Sequence, residues 1–167
     1  MKFFENALSD DVLALCETER AAKLSGAGWK LSELAWSKDI LVGITGICAS
    51  THVSATLKKA IASRISRHLP RHDDLLIQHY VWMRGSGISR HNDGGHKFGA
   101  TIYLNRSWNT DYGGLFMWEP DGSGDDLRVA CPSFNTMVLN DRKLFHSVTP
   151  VSVIAPDYRL TLQIWGV

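Results

Sequence analysis

The chain has 167 residues, a net charge of +1 and 21% charged residues scattered along its length. One domain of this size buries about 70% of the surface its unfolded chain exposes, and the lack of a basic run excludes an electrostatic nucleic-acid footprint. Three cysteines (Cys16, Cys48, Cys131), odd in number and without metal-type spacing, fit a reducing compartment better than a disulfide framework.

Met1 to Asn6 contains Glu5 where a secretory signal would be apolar, so no signal peptide is expected. Ser9-Asp10-Asp11 offers an N-cap and first-turn acids for a helix through about Lys23, with Val12, Leu13, Leu15 and Cys16 on its apolar side. The apolar stretch Ile40 to Ala49 is too short to span a bilayer. A soluble, cytoplasmic protein is therefore expected. Val53, Leu57, Ala60, Ile61 and Ile65 recur at spacings of three and four, which predicts a second amphipathic helix ending before Pro70. Both helices are expected on the outside of a sheet, forming a helical support layer over residues 1–70 of a single domain covering 1–167.

From Leu75 the pattern changes to short strands at 75–83, 88–93, 98–105, 113–119, 127–131, 136–140, 145–150 and 159–166, separated by Gly, Asn, Asp and Pro. Eight strands after a helical first part predict a mainly β fold of sandwich or jelly-roll type. In the last strand Arg159, Thr161, Gln163 and Trp165 alternate with Leu160, Leu162 and Ile164. One face is thus aliphatic, and the other carries a guanidinium beside an amide and an indole, as the lining of a pocket would. Thr101, Tyr103 and Asn105 share one side of strand 98–105, and Gln78, Tyr80 and Trp82 one side of strand 75–83. Three strands offer hydrogen-bonding faces to a common interior.

Two imidazoles and one carboxylate fill one face of an octahedral Fe(II) and leave three positions open. On a strand, residues i and i+2 point the same way, so His91 and Asp93 can enter one cavity while Asn92 points out, with His146 arriving from a distant strand. A His-x-acid pair arises roughly once by chance at this composition, and a second stands at His72-Asp73-Asp74. The latter falls in a charged turn begun by Pro70, as solvated surface does. His91-Asn92-Asp93 lies instead between Gly85-Ser86-Gly87 and Gly94-Gly95, where loops present functional side chains. His79 falls on the opposite strand face, His96 reads as a loop residue, and Gly113-Gly114 as a tight turn.

The segment Tyr80 to Trp165 resembles the catalytic core of the 2-oxoglutarate- and Fe(II)-dependent oxygenases, in their prolyl-hydroxylase-like branch. The resemblance is carried by Arg90-His91-Asn92-Asp93, Thr101-Ile102-Tyr103-Leu104-Asn105 with Trp108, Gly113-Gly114-Leu115, His146-Ser147-Val148, and Arg159 heading Leu-Thr-Leu-Gln-Ile-Trp. It implies a double-stranded β-helix of cupin-like form in which His91, Asp93 and His146 bind Fe(II). It also implies that 2-oxoglutarate is the cosubstrate with O2, that ascorbate is a candidate reductant, and that Arg159 clamps the distal carboxylate. A guanidinium fork suits that carboxylate, since it pairs bidentately and stays charged when desolvated. By the same resemblance Tyr103 donates to that carboxylate, while Tyr80, Trp82, Thr161 and Trp165 are candidates for the rest of the cosubstrate pocket.

Related halogenases replace the acid of the His-x-Asp pair by a small residue. Asp93 is present, which favours hydroxylation. Twelve residues separate His146 from Arg159, a few more than in prolyl hydroxylases, with Pro150 and Pro156 among them. The loop before His91 is about one residue shorter than in those relatives. The leading expectation is hydroxylation of a prolyl or other amino-acid side chain in a peptide or in free form. Alternatives are the same chemistry on a small natural-product metabolite, or a non-catalytic metal-binding sensor or interaction module. Substrate contacts are expected from loops 30–50, 84–89 and 106–112, where Trp29, Trp36, Arg84, Arg106 and Trp108 are available. No nucleic-acid or membrane partner is expected, and the sequence leaves the oligomeric state open.

Overall fold

The computed structural model describes residues 1–24, 26, 28–33 and 47–167. Two helices and eleven strands form among them: β1 (Lys2–Phe4), α1 (Asp10–Leu24), β2 (Lys30–Glu33), β3 (Ile47–His52), α2 (Ala55–Ile65), β4 (Leu75–Trp82), β5 (Ile88–His91), β6 (Phe98–Tyr103), β7 (Phe116–Trp118), β8 (Arg128–Ala130), β9 (Met137–Asn140), β10 (His146–Val148) and β11 (Arg159–Gly166). They build two antiparallel sheets, β1-β9-β6-β11-β4-β3-β2 and β5-β10-β7-β8. This is a double-stranded β-helix, and the eight strands expected after Leu75 are all present.

The first 70 residues differ from a purely helical layer. Strands β1, β2 and β3 extend the larger sheet at both ends, β1 against β9 and β3 against β4. The edge strands β1 and β2, of three and four residues, carry too few alternations to stand out in sequence. Part of the expected apolar stretch 40–49 lies outside the described residues, as does Trp36.

Both helices cover one face of the larger sheet. Leu57, Ile61 and Ile65 of α2 are fully buried with Val12, Leu13 and Cys16 of α1 against Ile77, Ile102, Leu162 and Ile164. Removing each large aliphatic side chain from water contributes about 1.5–3 kcal/mol. Two helix details differ from the sequence reading. Leu15 is exposed, and Val53 precedes the helix, because Ser54 is the cap of α2 and accepts from the Leu57 N–H.

The opposite face of the larger sheet looks toward the smaller one. Register places Trp82 beside Arg159, Tyr80 beside Thr161, and Thr161 beside Tyr103. The pleat that turns Leu162 and Ile164 to the helices therefore turns Arg159, Gln163 and Trp165 into the space between the sheets. The extra residues before Arg159 are tied down: Gly85 and Ser86 exchange backbone hydrogen bonds with Val151, and Gly114 donates to Pro150.

Candidate active site

His91 ends β5 and His146 begins β10, and the two are register partners. Their ring centroids lie 4.1 Å apart. Each ring is oriented by a carbonyl two residues back, since Nδ1 of His91 donates to Ser89 O at 2.7 Å and Nδ1 of His146 to Leu144 O at 3.0 Å. A carbonyl only accepts, so each Nδ1 is placed to donate and Nε2 is turned to the cavity, with Asn140 Nδ2 also 3.2 Å from Nδ1 of His146. Asn140 closes the turn before His146, donating to Leu144 O and accepting from Leu144 N.

Asp93 reaches the same corner by a route that strand alternation does not describe. Strand β5 stops at His91, and Asp93 has φ of 55°, a left-handed conformation that Asp adopts more readily than most residues. Its carboxylate stands 3.6 Å from Nε2 of His91 and 3.4 Å from Nε2 of His146. Gly99 makes the room, because a Cβ there would strike the Asp93 carboxylate. Asn92 turns away and accepts from Gly94 N.

The three ligand atoms lie within 4.8 Å of one another. Two imidazoles and a carboxylate, with His146 buried and His91 and Asp93 partly so, are a donor set suited to a borderline divalent cation such as Fe(II). Burial, followed by the neighbouring His146, holds the His91 imidazole below its ordinary pKa, which favours its neutral, ligating form.

A cavity of about 120 Å3 opens from this corner, walled by Tyr80, Trp82, Gln163 and Trp165 on the larger sheet and by Ile88, Phe116 and Val148 on the smaller, with Arg159 at its other end. Arg159 is 1% exposed, yet its Nε and Nη1 and the buried Tyr103 hydroxyl make no well-formed hydrogen bond among the described residues, the guanidinium and that hydroxyl facing each other closely enough to interact but without good geometry. The guanidinium lies between the Trp82 and Tyr103 rings, at 4.9 and 5.3 Å from their centroids. Burial lowers the pKa of Arg159 and pushes the Tyr103 hydroxyl up to about 12. A buried cation with orphaned donors carries an uncompensated desolvation cost, which an anion in the cavity would offset.

The sequence model of the 2OG-Fe(II) oxygenase superfamily matches residues 60–166. The chain belongs to that superfamily. It is an oxidoreductase of the dioxygenase kind, with Fe(II), 2-oxoglutarate and O2 as the family's cofactor and cosubstrates. Among solved structures, the oxygenase is similar to a Pseudomonas putida prolyl-4-hydroxylase (17% identity, TM-score 0.69, covering 99% of this chain and 91% of that one). It is also similar to a Trichoplax adhaerens prolyl hydroxylase in complex with a hypoxia inducible factor oxygen degradation domain peptide fragment (18%, 0.72, 99% and 82%). A third is an oxidoreductase of the 2OG-Fe(II) oxygenase family from Burkholderia pseudomallei (15%, 0.65, 96% and 81%). At these identities the likeness is one of fold. No curated protein matches the sequence.

Of the residues singled out in sequence, the oxygenase brings His91, Asp93, His146, Arg159, Tyr80, Trp82 and Trp165 to one cavity. Tyr103 stands behind Arg159, and Thr161 is fully buried with its hydroxyl accepting from Trp82 Nε1 at 3.0 Å, so it orients the indole. Three of the loop residues available for substrate have structural partners. Arg84 donates to Ala155 O, Trp108 Nε1 to Gly113 O, and Arg106 lies over the Phe134 ring. Trp29 packs against Ala49, Val81 and Leu160.

Three further residues support the site. Gly99 underlies Asp93, and Gly114, with φ of 62°, leaves room for the Arg159 side chain. Thr101 donates to Gln163 Oε1 at 2.7 Å on the cavity wall. Glycine inside a strand signals a close approach, so Phe98-Gly99-Ala100 was the readable clue.

Proposed function

We propose that this oxygenase hydroxylates a C–H bond of a prolyl or other amino-acid side chain, with His91, Asp93 and His146 as the iron ligands and Arg159 as the anchor of the 2-oxoglutarate distal carboxylate. The balance is one substrate C–H, one O2 and one 2-oxoglutarate consumed, with one C–OH, one succinate and one CO2 formed. The observation that carries the reading is the pairing, in one cavity, of a three-ligand cluster with a buried guanidinium whose donors are unspent.

When bound, the iron supplies the oxidation that couples 2-oxoglutarate decarboxylation to oxygen insertion. The chain's own groups hold and orient. Carbonyls at Ser89 and Leu144 orient the imidazoles, and Gly99 lets the Asp93 carboxylate close the ligand face. Arg159 Nε and Nη1, with the Tyr103 hydroxyl, would be matched by a carboxylate. Trp82, held by Thr161, and the apolar residues Ile88, Phe116 and Val148 exclude water around the reacting groups. Asp93 as third ligand supports hydroxylation over halide transfer. The peptide bound by the Trichoplax neighbour supports a peptidyl substrate.

The test is anaerobic titration of the Fe(II)-loaded protein with 2-oxoglutarate, following the visible band that keto-acid chelation produces. A band in wild type that His146→Ala abolishes, followed by succinate release on admitting O2 with a prolyl peptide, supports the reading. Bound iron with no band would overturn it, and turnover of a free metabolite but no peptide would move the substrate to that class.

A further inference from the structure

Behind the ligand corner stands a second constellation. Arg90 Nε and Nη2 donate to the two Glu119 oxygens at 2.6 and 2.8 Å. The same guanidinium lies 3.6 Å from the Phe145 ring centroid. Arg90 precedes His91, Phe145 precedes His146, and Glu119 follows Trp118, which pairs with His146 across β10 and β7. Glu119 N also donates to Phe145 O at 2.9 Å, extending that ladder by one residue.

The reason for a clamp lies in how irregularly β5 is paired. Strand β5 is an edge strand, and its pairing with β10 runs through His91↔His146 and Ile88↔Val148 with an irregularity between. A bidentate pair is the form of ion pair that fixes geometry as well as charge. Glu119 is only 7% exposed, so its carboxylate has little freedom to swing out, while Arg90, with 51% of its side chain exposed, is held by the two-bond fork and the Phe145 ring.

Resting on the reading of His91 and His146 as ligands, we propose that the Arg90–Glu119 pair, seated on Phe145, positions the metal site. It spans from β5 to the end of β7 over the start of β10 and sets the spacing between the two imidazoles. Arg90 and Glu119 are positioning residues that contact neither metal nor substrate.

The experiment loads the apoprotein with Co(II), whose visible d–d absorption reports ligand number and geometry without turnover. Arg90→Gln, Arg90→Lys and Glu119→Gln are each expected to weaken Co(II) binding about tenfold and to alter the spectrum, as loss of supporting contacts around metal ligands does. Arg90→Lys keeps the charge and loses the fork, so it separates geometry from electrostatics. The exchange Arg90→Glu with Glu119→Arg is expected to recover part of the affinity. Wild-type affinity and spectrum in the single variants would overturn the proposal, even if their melting temperatures fell. His91→Ala is the control: Co(II) bound equally well by that variant would overturn the ligand assignment itself, whereas its loss alongside intact binding in the Arg90 variants would overturn the positioning role alone.

Discussion

Arg159, at one end of the cavity, sits on a strand paired with β4 from Arg159 to Gly166 and with β6 from Thr161 onward. Asp93, at the other end, lies past the last residue of an edge strand, in a left-handed conformation, against a glycine from another strand. The guanidinium is thus placed by regular pleat in the middle of a seven-stranded sheet, and the carboxylate by a local turn and one close contact. On the proposed reading, the cation end of the site depends on irregular backbone, while its anion anchor depends on the most regular part of the fold. The two ends should fail differently when altered.

The largest expected effect is at the irregular end. Asp93→Ala should lower iron affinity at least about 100-fold and abolish turnover, while 2-oxoglutarate loses only its metal-dependent share of binding; metal titration beside a succinate assay checks this. Arg159→Ala should raise the 2-oxoglutarate Kd at least about 30-fold, the cost of removing one partner of a buried charge pair, with iron binding unchanged by metal titration. Equal loss of iron in both variants would erase the distinction between the two ends.

Gly99→Ala sharpens it further. The added methyl collides with the Asp93 carboxylate, so metal affinity should fall about tenfold or more while 2-oxoglutarate contacts at Arg159 persist. At the regular end, Arg159→Met should stabilise the protein free of 2-oxoglutarate by about 1–3 kcal/mol, because it removes a buried charge with orphaned donors. Thermal or urea unfolding without cosubstrate reads this, and destabilisation would show that Arg159 is already compensated.

An effect that vanishes at neutral pH tests the support beneath the regular end. His79 of β4 is fully buried, with neither ring nitrogen hydrogen-bonded among the described residues, and burial lowers its pKa to about 4. Between its ordinary value and about 4 the unfolded chain binds a proton that the folded chain does not, so stability falls as pH falls through that window. The loss is about 3 kcal/mol at most. His79→Leu should flatten that part of the urea-unfolding profile against pH, and an unchanged slope would assign the acid sensitivity elsewhere.

Much of this arrangement was legible in the chain. Alternation from Arg159 to Trp165 states which side chains enter the cavity, because a strand buried on two chemically different faces shows a period of two without interruption. The same logic placed Tyr80 and Trp82 inside and His79 behind the sheet. It misdescribed Asp93, whose place comes from a turn after the strand and not from the i, i+2 relation. Nor could it foresee that Arg84 and Trp108, available in the loops, each donate to a backbone carbonyl that sequence cannot locate.

By itself, then, the sequence determined the number and order of the core strands, the faces of β4, β6 and β11 and the two α-helices, since these follow from local periodicity, while the choice of His91, Asp93, His146 and Arg159 rested also on the family resemblance. Tertiary structure decided the rest: that β1, β2 and β3 complete the larger sheet, that Gly99 and Gly114 make room for Asp93 and Arg159, that Thr161 serves Trp82, and that Arg90 and Glu119 meet over Phe145. Each of these is a contact between residues distant in the chain, and its energy depends on register and close approach, which exist only once the sheets have formed.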